Sequence, residues 1–499
     1  MIDSIDDPRV SVTHDGEARE YPVAPFAPPE RYPELRRLPG SDRVDPSNRV
    51  YPLVREALLR LGLDAERAGT PDWNPLADII RAGDNVLLKP NLVRHFHGFG
   101  WDPLPIVTHG AVVRAVLDYV ELALGDSGTV AIGDAPLQTA DFEAVTRLAG
   151  LRELAEWYAD NRGRTDLLHD LRLTQAITNG GGGVTGHAER PADSAGYAAV
   201  DLGGDSCLTE VEESYRGFRV TNYDPGAMQL HHNRGRHEYL VSRRVLEADV
   251  ILNLPKLKTH RKVGLTAALK NMIGINGHKD WLPHHRRGSS ADGGDEYHLP
   301  NRLKRITADL LDLEERQTNP TLRGLARLAR RASGGASLLT RRDPFFEGSW
   351  WGNDTLWRTV LDLNRILLYA DHQGALQRGV QRQILTLIDG IVAGEGEGPL
   401  EPAAKTCGLI IAGRNSAAVD AVAARLAGFD YRRIPIIARA SELRSLPIMT
   451  FAPSAVAVAG RAPWGEVDPN LPGPSFAFTP PEGWRGSIEL APAAIRDAS

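Results

Sequence analysis

The chain has little sulfur and no long apolar run. Only two of its 499 residues are cysteine, Cys207 and Cys407, and only four are methionine. Two thiols alone cannot supply the four ligands of an iron–sulfur cluster or build a disulfide framework, and they suit a reducing compartment. No stretch approaches the roughly 18 consecutive apolar residues of a membrane-spanning helix. We therefore expect neither an iron–sulfur cluster nor a transmembrane segment.

The composition also lacks a strong excess of one charge. Lysine and arginine number 58 against 64 acidic residues, a net charge of -6, so we expect no nucleic-acid partner. Hydrophobic residues at 42% and charged residues at 24% are ordinary for a soluble globular protein. The acidic start, MIDSIDDPRVSV, has no apolar segment of the kind found in secretion signals. These features favour a cytoplasmic location.

Short apolar runs alternate with helical patterns along the chain. We predict strands at 85–88, 130–132, 250–254, 384–388 and 409–412, and helices at 111–124, from about 141, and near 415–427. Such alternation is typical of a parallel sheet that is covered on both faces. The sequence therefore predicts an α/β fold: a largely parallel sheet covered by helices, with an irregular insertion and a peripheral lid.

Changes in composition suggest five parts. They are an N-terminal α/β half (1–150), a middle segment with a glycine-rich loop and the PKLKTH motif (151–300), a helical insertion or lid (301–370), a C-terminal α/β part that joins the first sheet (371–460), and a tail rich in proline and glycine (461–499). The lid is expected to lie outside the central sheet, because its arginine and leucine pattern around SGGAS gives little core to bury.

The predicted strands end in charged and amide side chains. Ligands of open α/β sheets bind outside the carboxyl ends of the strands, so these side chains are candidates for one shared pocket. The substrate-binding candidates are Lys89, Asn91, Lys256, Lys258, Lys270 and Asn271, and the catalytic candidates are His260, His278, Asp134 and Asp389. We predict a cationic wall facing a wall that carries carboxylates. The alternative is a set of solvated strand ends.

The segment NLPKLKTH, residues 253–260, places two lysines and a histidine directly after an apolar strand. Burying an ammonium group is costly unless an anion meets it, so this strand emerges either into water or into a site. Lys256 and Lys258 point the same way in an extended chain. The following residues, 264–274, have helical periodicity, and a helix N-terminus beside lysines suits a carboxylate, phosphate or sugar phosphate.

Three carboxylates, Asp134, Asp389 and Glu395, are candidates for binding a divalent ion. Oxygen ligands favour magnesium or manganese over zinc. Asp134 and Asp389 follow strands that we expect to be neighbours, so they could share one ion or one proton. His260 or His278 would then carry protons, because imidazole titrates near neutrality. If they share no ion, an adjacent lysine neutralises them and the site is only a binding cleft.

Two further patterns leave alternatives open. The glycine-rich NGGGGV at 179–184 is either a phosphate loop or a plain loop, since it lacks the Lys-Ser/Thr of a P-loop. The basic stretch from Arg323 to Arg331 either makes a weak contact with a membrane surface or forms a solvated helix.

Five motifs in order resemble the family called domain of unknown function 362. They are VLLKPNLV, IGDAP, VILNLPKLKTH, LTAALKNMIG and LIDGIVAGEGEGPL with IIAGRNSAAVDAVA, within residues 86–427. The segment GSWWGNDTLWR resembles a longer branch of that family, and this resemblance implies a setting in polysaccharide biosynthesis. Some relatives carry ferredoxin-like cysteine clusters, which this chain lacks. The family resemblance does not imply a particular reaction.

Three functions compete at this point. The first is an enzyme acting on an anionic small molecule, a carboxylate or phosphorylated sugar, which lysines bind while a histidine and an aspartate move protons, with a divalent metal as a candidate cofactor. The second is a non-catalytic binding or assembly protein for an anionic glycan or lipid-linked intermediate. The third is a nucleotide-dependent transferase or ligase that uses the glycine-rich loop.

Overall fold

The computed structural model describes residues 3–178, 184–190, 193–220, 225–317, 319–338, 343–464, 467–471 and 473–490. Its strands are β1 (Arg9–His14), β2 (Asn85–Pro90), β3 (Thr129–Asp134), β4 (Leu168–Asp170), β5 (Thr174–Thr178), β6 (Val184–Glu189), β7 (Tyr197–Asp201), β8 (Phe218–Arg219), β9 (His232–Asn233), β10 (Arg236–Ser242), β11 (Val250–Leu254), β12 (Lys256–His260), β13 (Gly264–Thr266), β14 (His285–Arg286), β15 (Gln383–Glu397), β16 (Glu401–Gly413) and β17 (Ala457–Gly460).

The helices connect these strands or form the insertion. They are α1 (Val50–Arg60), α2 (Gly110–Leu124), α3 (Phe142–Leu148), α4 (Leu151–Arg162), α5 (Pro225–His231), α6 (Arg243–Leu246), α7 (Ala268–Asn271), α8 (Arg302–Arg316), α9 (Pro320–Leu338), α10 (Leu356–Tyr369), α11 (Ser416–Ala427) and α12 (Pro435–Ala438). Within the described ranges, no helix is long and apolar enough to cross a membrane.

One large mixed sheet organises the protein. Its order is β17-β1-β16-β15-β11-β2-β3-β4, and β12 pairs with both β15 and β13. The run β15-β11-β2-β3-β4 is parallel throughout, whereas β16 is antiparallel to both of its neighbours. The predicted α/β class with a largely parallel sheet is therefore confirmed.

The central strands are apolar on both faces because helices cover both sides. Leu87 and Ile251 face one core, which includes residues of α10 and α11, whereas Val86, Leu88 and Leu252 face the other, which includes residues of α1, α2 and α4. A parallel strand buried on both faces has a continuous apolar run, and this is the pattern that identified these strands in the sequence.

The helix predicted at 264–274 was largely wrong. Its first residues form strand β13 against β12, and the α-helix α7 has only four residues before a 3-10 turn, Met272–Ile275. The Asp420 carboxylate accepts hydrogen bonds from the Ala268 and Leu269 amides at 2.6 and 3.0 Å. An internal carboxylate therefore occupies the helix N-terminus that was expected to hold a ligand anion. Burial raises the pKa of Asp420 to about 7.

The basic helix α9 packs along α8, outside the central sheet. Three of its arginines form ion pairs with α8: Arg323 with Glu315, and Arg327 and Arg330 with Glu314, at 3.6, 2.6 and 2.7 Å. Much of the basic charge that suggested a membrane contact is therefore directed toward carboxylates of the same protein. Asn179 and the four glycines at 180–183 lie outside the described residues, as do 339–342 within the expected lid.

Candidate anion-binding site

A buried ion pair joins the carboxyl ends of β2 and β3. The Lys89 Nζ lies 2.6 Å from Asp134 Oδ1, and both side chains are almost fully buried. Asp134 Oδ2 also accepts a hydrogen bond from the Leu92 amide at 2.7 Å. Burial lowers the pKa of Lys89, and the Asp134 charge opposes that shift. This pair positions the loop after β2, which carries Asn91.

Two asparagines extend this polar network across the sheet. Asn271 Nδ2 donates to the Lys89 carbonyl at 3.0 Å and to Asn253 Oδ1 at 2.8 Å. Asn253 in turn donates to the Ala268 carbonyl at 3.0 Å. These bonds satisfy polar groups inside an apolar sheet and fix α7 above the ends of β2 and β11. Asn271 is therefore a positioning residue as well as part of the cavity lining.

Gly274 permits the close approach of the Lys89–Asp134 pair. A Cβ atom at this position would lie 2.0 Å from Asp134 Oδ1 and 2.5 Å from Lys89 Nζ. Both side chains are held by other partners, so neither can retreat without losing a buried hydrogen bond.

Gly274→Ala is accordingly expected to lower the free energy of unfolding by about 1–3 kcal/mol, the usual cost of overpacking. Chemical denaturation measures the change. Gly335→Ala is the matched control, since Gly335 lies in α9 and a Cβ there would meet nothing within 4 Å. Equal stability of the two variants would contradict the close approach.

A cavity of about 730 Å³ opens beside this network and is rich in basic residues. Its basic lining residues are Arg94, Lys258, His260, Arg261, Lys262, Lys270, Lys279 and His284. Its carboxylates are Asp134, Glu347, Glu397 and Glu482. Within the described part of the chain, Lys258, Lys262, Lys270 and Lys279 form no ion pair with a carboxylate. Such a concentration of positive charge favours an anionic ligand.

Lys258 is held by neutral oxygens. Its Nζ donates to Asn91 Oδ1 at 2.6 Å and to the Ile106 carbonyl. Burial, and then repulsion from Lys256 and Lys270, hold the pKa of Lys258 well below its usual value. An ammonium group has three donors, so two fixed bonds leave one for a ligand in the cavity.

Lys270 has no hydrogen-bond partner for its ammonium group within the described residues. Burial lowers its pKa to about 7, and the charges of Lys279, Lys262 and Lys89 act in the same direction. Lys262 likewise forms no hydrogen bond or ion pair with a described side chain; burial lowers its pKa, and the charge of Glu347 in the same cavity partly opposes that shift. An anion between these two lysines would relieve the repulsion.

Lys279 reaches the cavity from the segment that follows α7. Its Nζ donates to the Ala135 carbonyl at 2.9 Å and, more weakly, to the Ile273 carbonyl at 3.4 Å. Burial lowers the pKa of Lys279 to about 7, and the Asp134 charge partly opposes that shift. This lysine is thus anchored at the rear of the cavity, whereas Lys262 and Lys270 are available to a ligand.

The two cavity histidines are in opposite hydrogen-bonding states. His260 Nδ1 accepts from the Lys262 amide at 3.0 Å, which places the proton of a neutral ring on Nε2. His284 Nδ1 lies 2.6 Å from the Leu282 carbonyl, which places its proton on Nδ1 and leaves Nε2 as an acceptor. Burial and neighbouring lysines hold both pKa values well below the usual range. His260 is therefore suited to donate a hydrogen bond rather than to act as a base.

Lys256 and Asp389 lie together but do not line the cavity. Lys256 Nζ is 3.0 Å from Asp389 Oδ2, and both side chains are fully buried. Asp389 also accepts from the Tyr21 hydroxyl at 2.7 Å and the His109 amide at 3.0 Å. The register between β12 and β15 shifts between Lys256 and Lys258, so the two lysines have different partners.

Asp134 and Asp389 are not on neighbouring strands, and the premise of the shared ion was wrong. Strands β11 and β2 lie between β15 and β3, a separation of about 14 Å at the usual strand spacing. Each carboxylate instead pairs with its own lysine, and Glu395 pairs with Lys405 at 2.8 Å. Among the described residues, no group of three or more His, Cys, Asp or Glu side chains could hold a metal ion.

The structure thus groups most of the predicted site residues and leaves some apart. Those in the cavity lining are Asn91, Asp134, Lys258, His260, Lys270 and Asn271. Lys89 is not in the lining itself but forms an ion pair with Asp134, which is. The residues outside the lining without such a contact are Lys256, His278, Asp389 and Glu395. His278 is near Trp281, with ring centroids 6.2 Å apart.

Five basic residues of the cavity lining were not predicted from the sequence: Arg94, Arg261, Lys262, Lys279 and His284. A partial signal was present. Arg261 and Lys262 directly follow the PKLKTH motif, and Arg94 directly follows PNLV. Arg261 and Lys262 lie in the turn between β12 and β13, and it is the antiparallel pairing of these strands that brings them to the cavity.

The sheet and the cavity define an α/β protein with a lysine-rich cavity near the carboxyl ends of parallel strands. Residues 185–425, just under half of the chain, match the family described as Domain of unknown function (DUF362). The predicted resemblance is confirmed over that span, which contains the PKLKTH segment and α7, whereas VLLKPNLV and IGDAP precede it. No curated protein and no solved structure matches the chain.

Proposed function

We propose that this protein is an enzyme that acts on an anionic small molecule, a carboxylate or a phosphorylated sugar. The observation that carries the proposal is the pair Lys262 and Lys270: two half-buried lysines in one cavity, neither of which forms a hydrogen bond or an ion pair with a described carboxylate. Proteins rarely keep such groups uncompensated, because burying an ammonium is costly. A ligand with two or more negative charges supplies the missing compensation.

Lys270 is the residue we assign to proton transfer. A general acid or base works best when its pKa lies near the working pH, and the pKa of Lys270 is about 7. Lys258 and Lys262 would bind the anion, and His260 would donate a hydrogen bond to it. This assignment replaces the histidine–aspartate pair expected from the sequence, because Asp134 forms an ion pair with Lys89.

The test is a turnover assay with two readouts. Purified protein is incubated with a panel of sugar phosphates and sugar acids, with and without Mg²⁺ or Mn²⁺, and the products are followed by phosphorus NMR and mass spectrometry. Lys270→Gln is expected to abolish turnover, while Lys405→Gln, a surface control, retains it. Binding without turnover across the panel would count against the enzyme and support the alternative below.

The alternative is a non-catalytic binding or assembly protein for an anionic glycan or lipid-linked intermediate in polysaccharide biosynthesis. It is favoured by one observation: both predicted catalytic aspartates are neutralised by lysines. A cytoplasmic location belongs to both proposals. We propose separately that the protein binds a divalent ion. The test is metal analysis of untagged wild-type and Asp389→Asn protein. Stoichiometric metal in the wild type that is lost in the variant would support the ion.

Binding of an anion that does not titrate should weaken as the pH rises. Below pH 7 Lys270 and Lys279 are already charged, and above it the free protein must take up protons to bind. Sulfate affinity is therefore expected to fall by up to about tenfold per pH unit for each lysine between pH 7 and 9. Calorimetry measures the slope.

Lys270→Arg is the matched control for this pH dependence. Arginine stays charged throughout the range, so its variant should show a shallower slope than the wild type. An identical slope in both proteins would show that Lys270 does not titrate on binding.

A further inference from the structure

Four exposed aromatic side chains lie on segments that adjoin the cavity. Phe96, Phe99, Trp101 and Trp351 are 42%, 64%, 55% and 55% exposed. Exposed large apolar side chains that form a patch on a soluble surface commonly mark a binding region, and these four lie on two segments that each adjoin the cavity. We call these four residues the aromatic rim.

The first part of the aromatic rim is attached to the cavity wall through Arg94. The Arg94 guanidinium stacks over the Phe96 ring at 4.5 Å and donates to the Leu400 carbonyl at 2.8 Å. Arg94 and Leu400 both line the cavity. Phe96 is thus one side chain away from the anion-binding wall.

The rings of Phe99 and Trp101 form a cluster beside the start of β16. Their centroids are 5.4 Å apart, and the His97 ring lies 5.7 and 5.2 Å from them. His97 Nε2 is 3.1 Å from the Pro402 carbonyl, two residues beyond Leu400 of the cavity lining. A buried histidine therefore holds two exposed rings against the segment that forms the cavity wall.

Trp351 adjoins the cavity from another segment. Its amide donates to the Gly483 carbonyl at 2.9 Å, and Gly483 and the exposed Glu482 both line the cavity. Because Glu482 is at once exposed and part of the lining, the cavity reaches solvent here. Phe345 and Phe346 add apolar surface to the lining itself.

We propose that the ligand is an amphiphile: a phosphate-type headgroup enters the lysine cavity, and an attached apolar chain lies on the aromatic rim. This inference rests on the proposed function for its anion site and adds the substrate class. The cavity lysines account for the charge, whereas a purely polar sugar phosphate leaves the exposed rings without a role.

The experiment compares methyl phosphate with decyl phosphate, the latter below its micelle-forming concentration. Each buried methylene strengthens binding by about fourfold, so three methylenes on the aromatic rim give decyl phosphate an advantage of about sixtyfold. The double variant Phe99→Ser/Trp101→Ser is expected to bring the decyl-to-methyl affinity ratio close to one. Leu328→Ser, on a residue of α9 that is 67% exposed, is the control and should keep the ratio.

The outcomes separate this inference from the proposed function. Equal affinity of the wild type for the two phosphates, or a decyl advantage that survives Phe99→Ser/Trp101→Ser, overturns the amphiphile inference alone. If neither phosphate binds, or if Lys262→Gln/Lys270→Gln leaves both affinities unchanged, the anion site itself fails. Far-ultraviolet circular dichroism of each variant confirms that it is folded.

Discussion

Replacing Asp134 with alanine is expected to lower the free energy of unfolding by about 3–5 kcal/mol, the usual cost of breaking a buried ion pair from one side. The variant leaves the Lys89 ammonium, which is fully buried, without its partner at 2.6 Å. It also removes the acceptor of the Leu92 amide. Urea denaturation at pH 7 measures the loss.

The pH dependence of that loss has a definite sign. Without Asp134 the folded-state pKa of Lys89 falls further below that of the unfolded chain, because burial alone then acts on it. Folding then expels a proton from Lys89, so across the neutral and alkaline range the deficit shrinks as the pH rises toward about 10.4, the unfolded lysine value.

Two variants give this experiment its controls. Glu442→Ala breaks the Arg439–Glu442 pair, in which both side chains are 55% exposed, and should change the stability by less than about 1 kcal/mol. Lys89→Met/Asp134→Leu removes both buried charges and should recover most of the loss. An Asp134→Ala protein as stable as Glu442→Ala would show that the pair is not buried as described.

Lys270→Gln is expected to weaken inorganic pyrophosphate binding by about 10- to 150-fold, since a hydrogen bond to a charged group contributes about 1.5–3 kcal/mol. Lys262→Gln and Lys258→Gln should act in the same range. Isothermal titration calorimetry at pH 6.5, where Lys270 is mostly charged, measures each affinity.

Lys405→Gln and Lys256→Gln serve as contrasting controls. Lys405 pairs with Glu395 outside the cavity lining, so its loss should leave the affinity unchanged. Lys256 is also outside the lining but is buried against Asp389, so its loss should act mainly on stability. If Lys256→Gln weakened binding as much as Lys270→Gln without loss of stability, the division between cavity and ion pair would be incorrect.

The central strands were predictable because a strand that is buried on both faces has a continuous apolar run in the sequence. The charged and amide residues at their ends could be read directly after these runs. Strand β11 was predicted at its observed limits, and α11 begins one residue after Asn415, whose side chain caps it. The order of the strands was not predictable from such runs. Nothing local indicates that β11 and β2 separate Asp134 from Asp389.

The division of the lysines into paired and unpaired groups also depends on tertiary structure. Lys89 and Lys256 look like Lys258 and Lys270 in the sequence, yet each of the first two faces a buried carboxylate. For Lys256 and Lys258 the difference coincides with a shift in the register between β12 and β15, which a two-residue spacing cannot reveal. The helical periodicity at 264–266 also gave a wrong prediction, because these residues pair with β12 and form a strand.

A bound anion can be located directly by crystallography. Crystals of the wild-type protein are soaked in selenate, which is fully ionised at neutral pH, and the selenium is located by its anomalous signal. We expect a peak within hydrogen-bonding reach of the Lys262 and Lys270 ammonium groups, and no peak in Lys262→Gln/Lys270→Gln crystals. A cavity without selenium in wild-type crystals saturated with selenate, or a peak that persists in the double variant, would contradict this expectation.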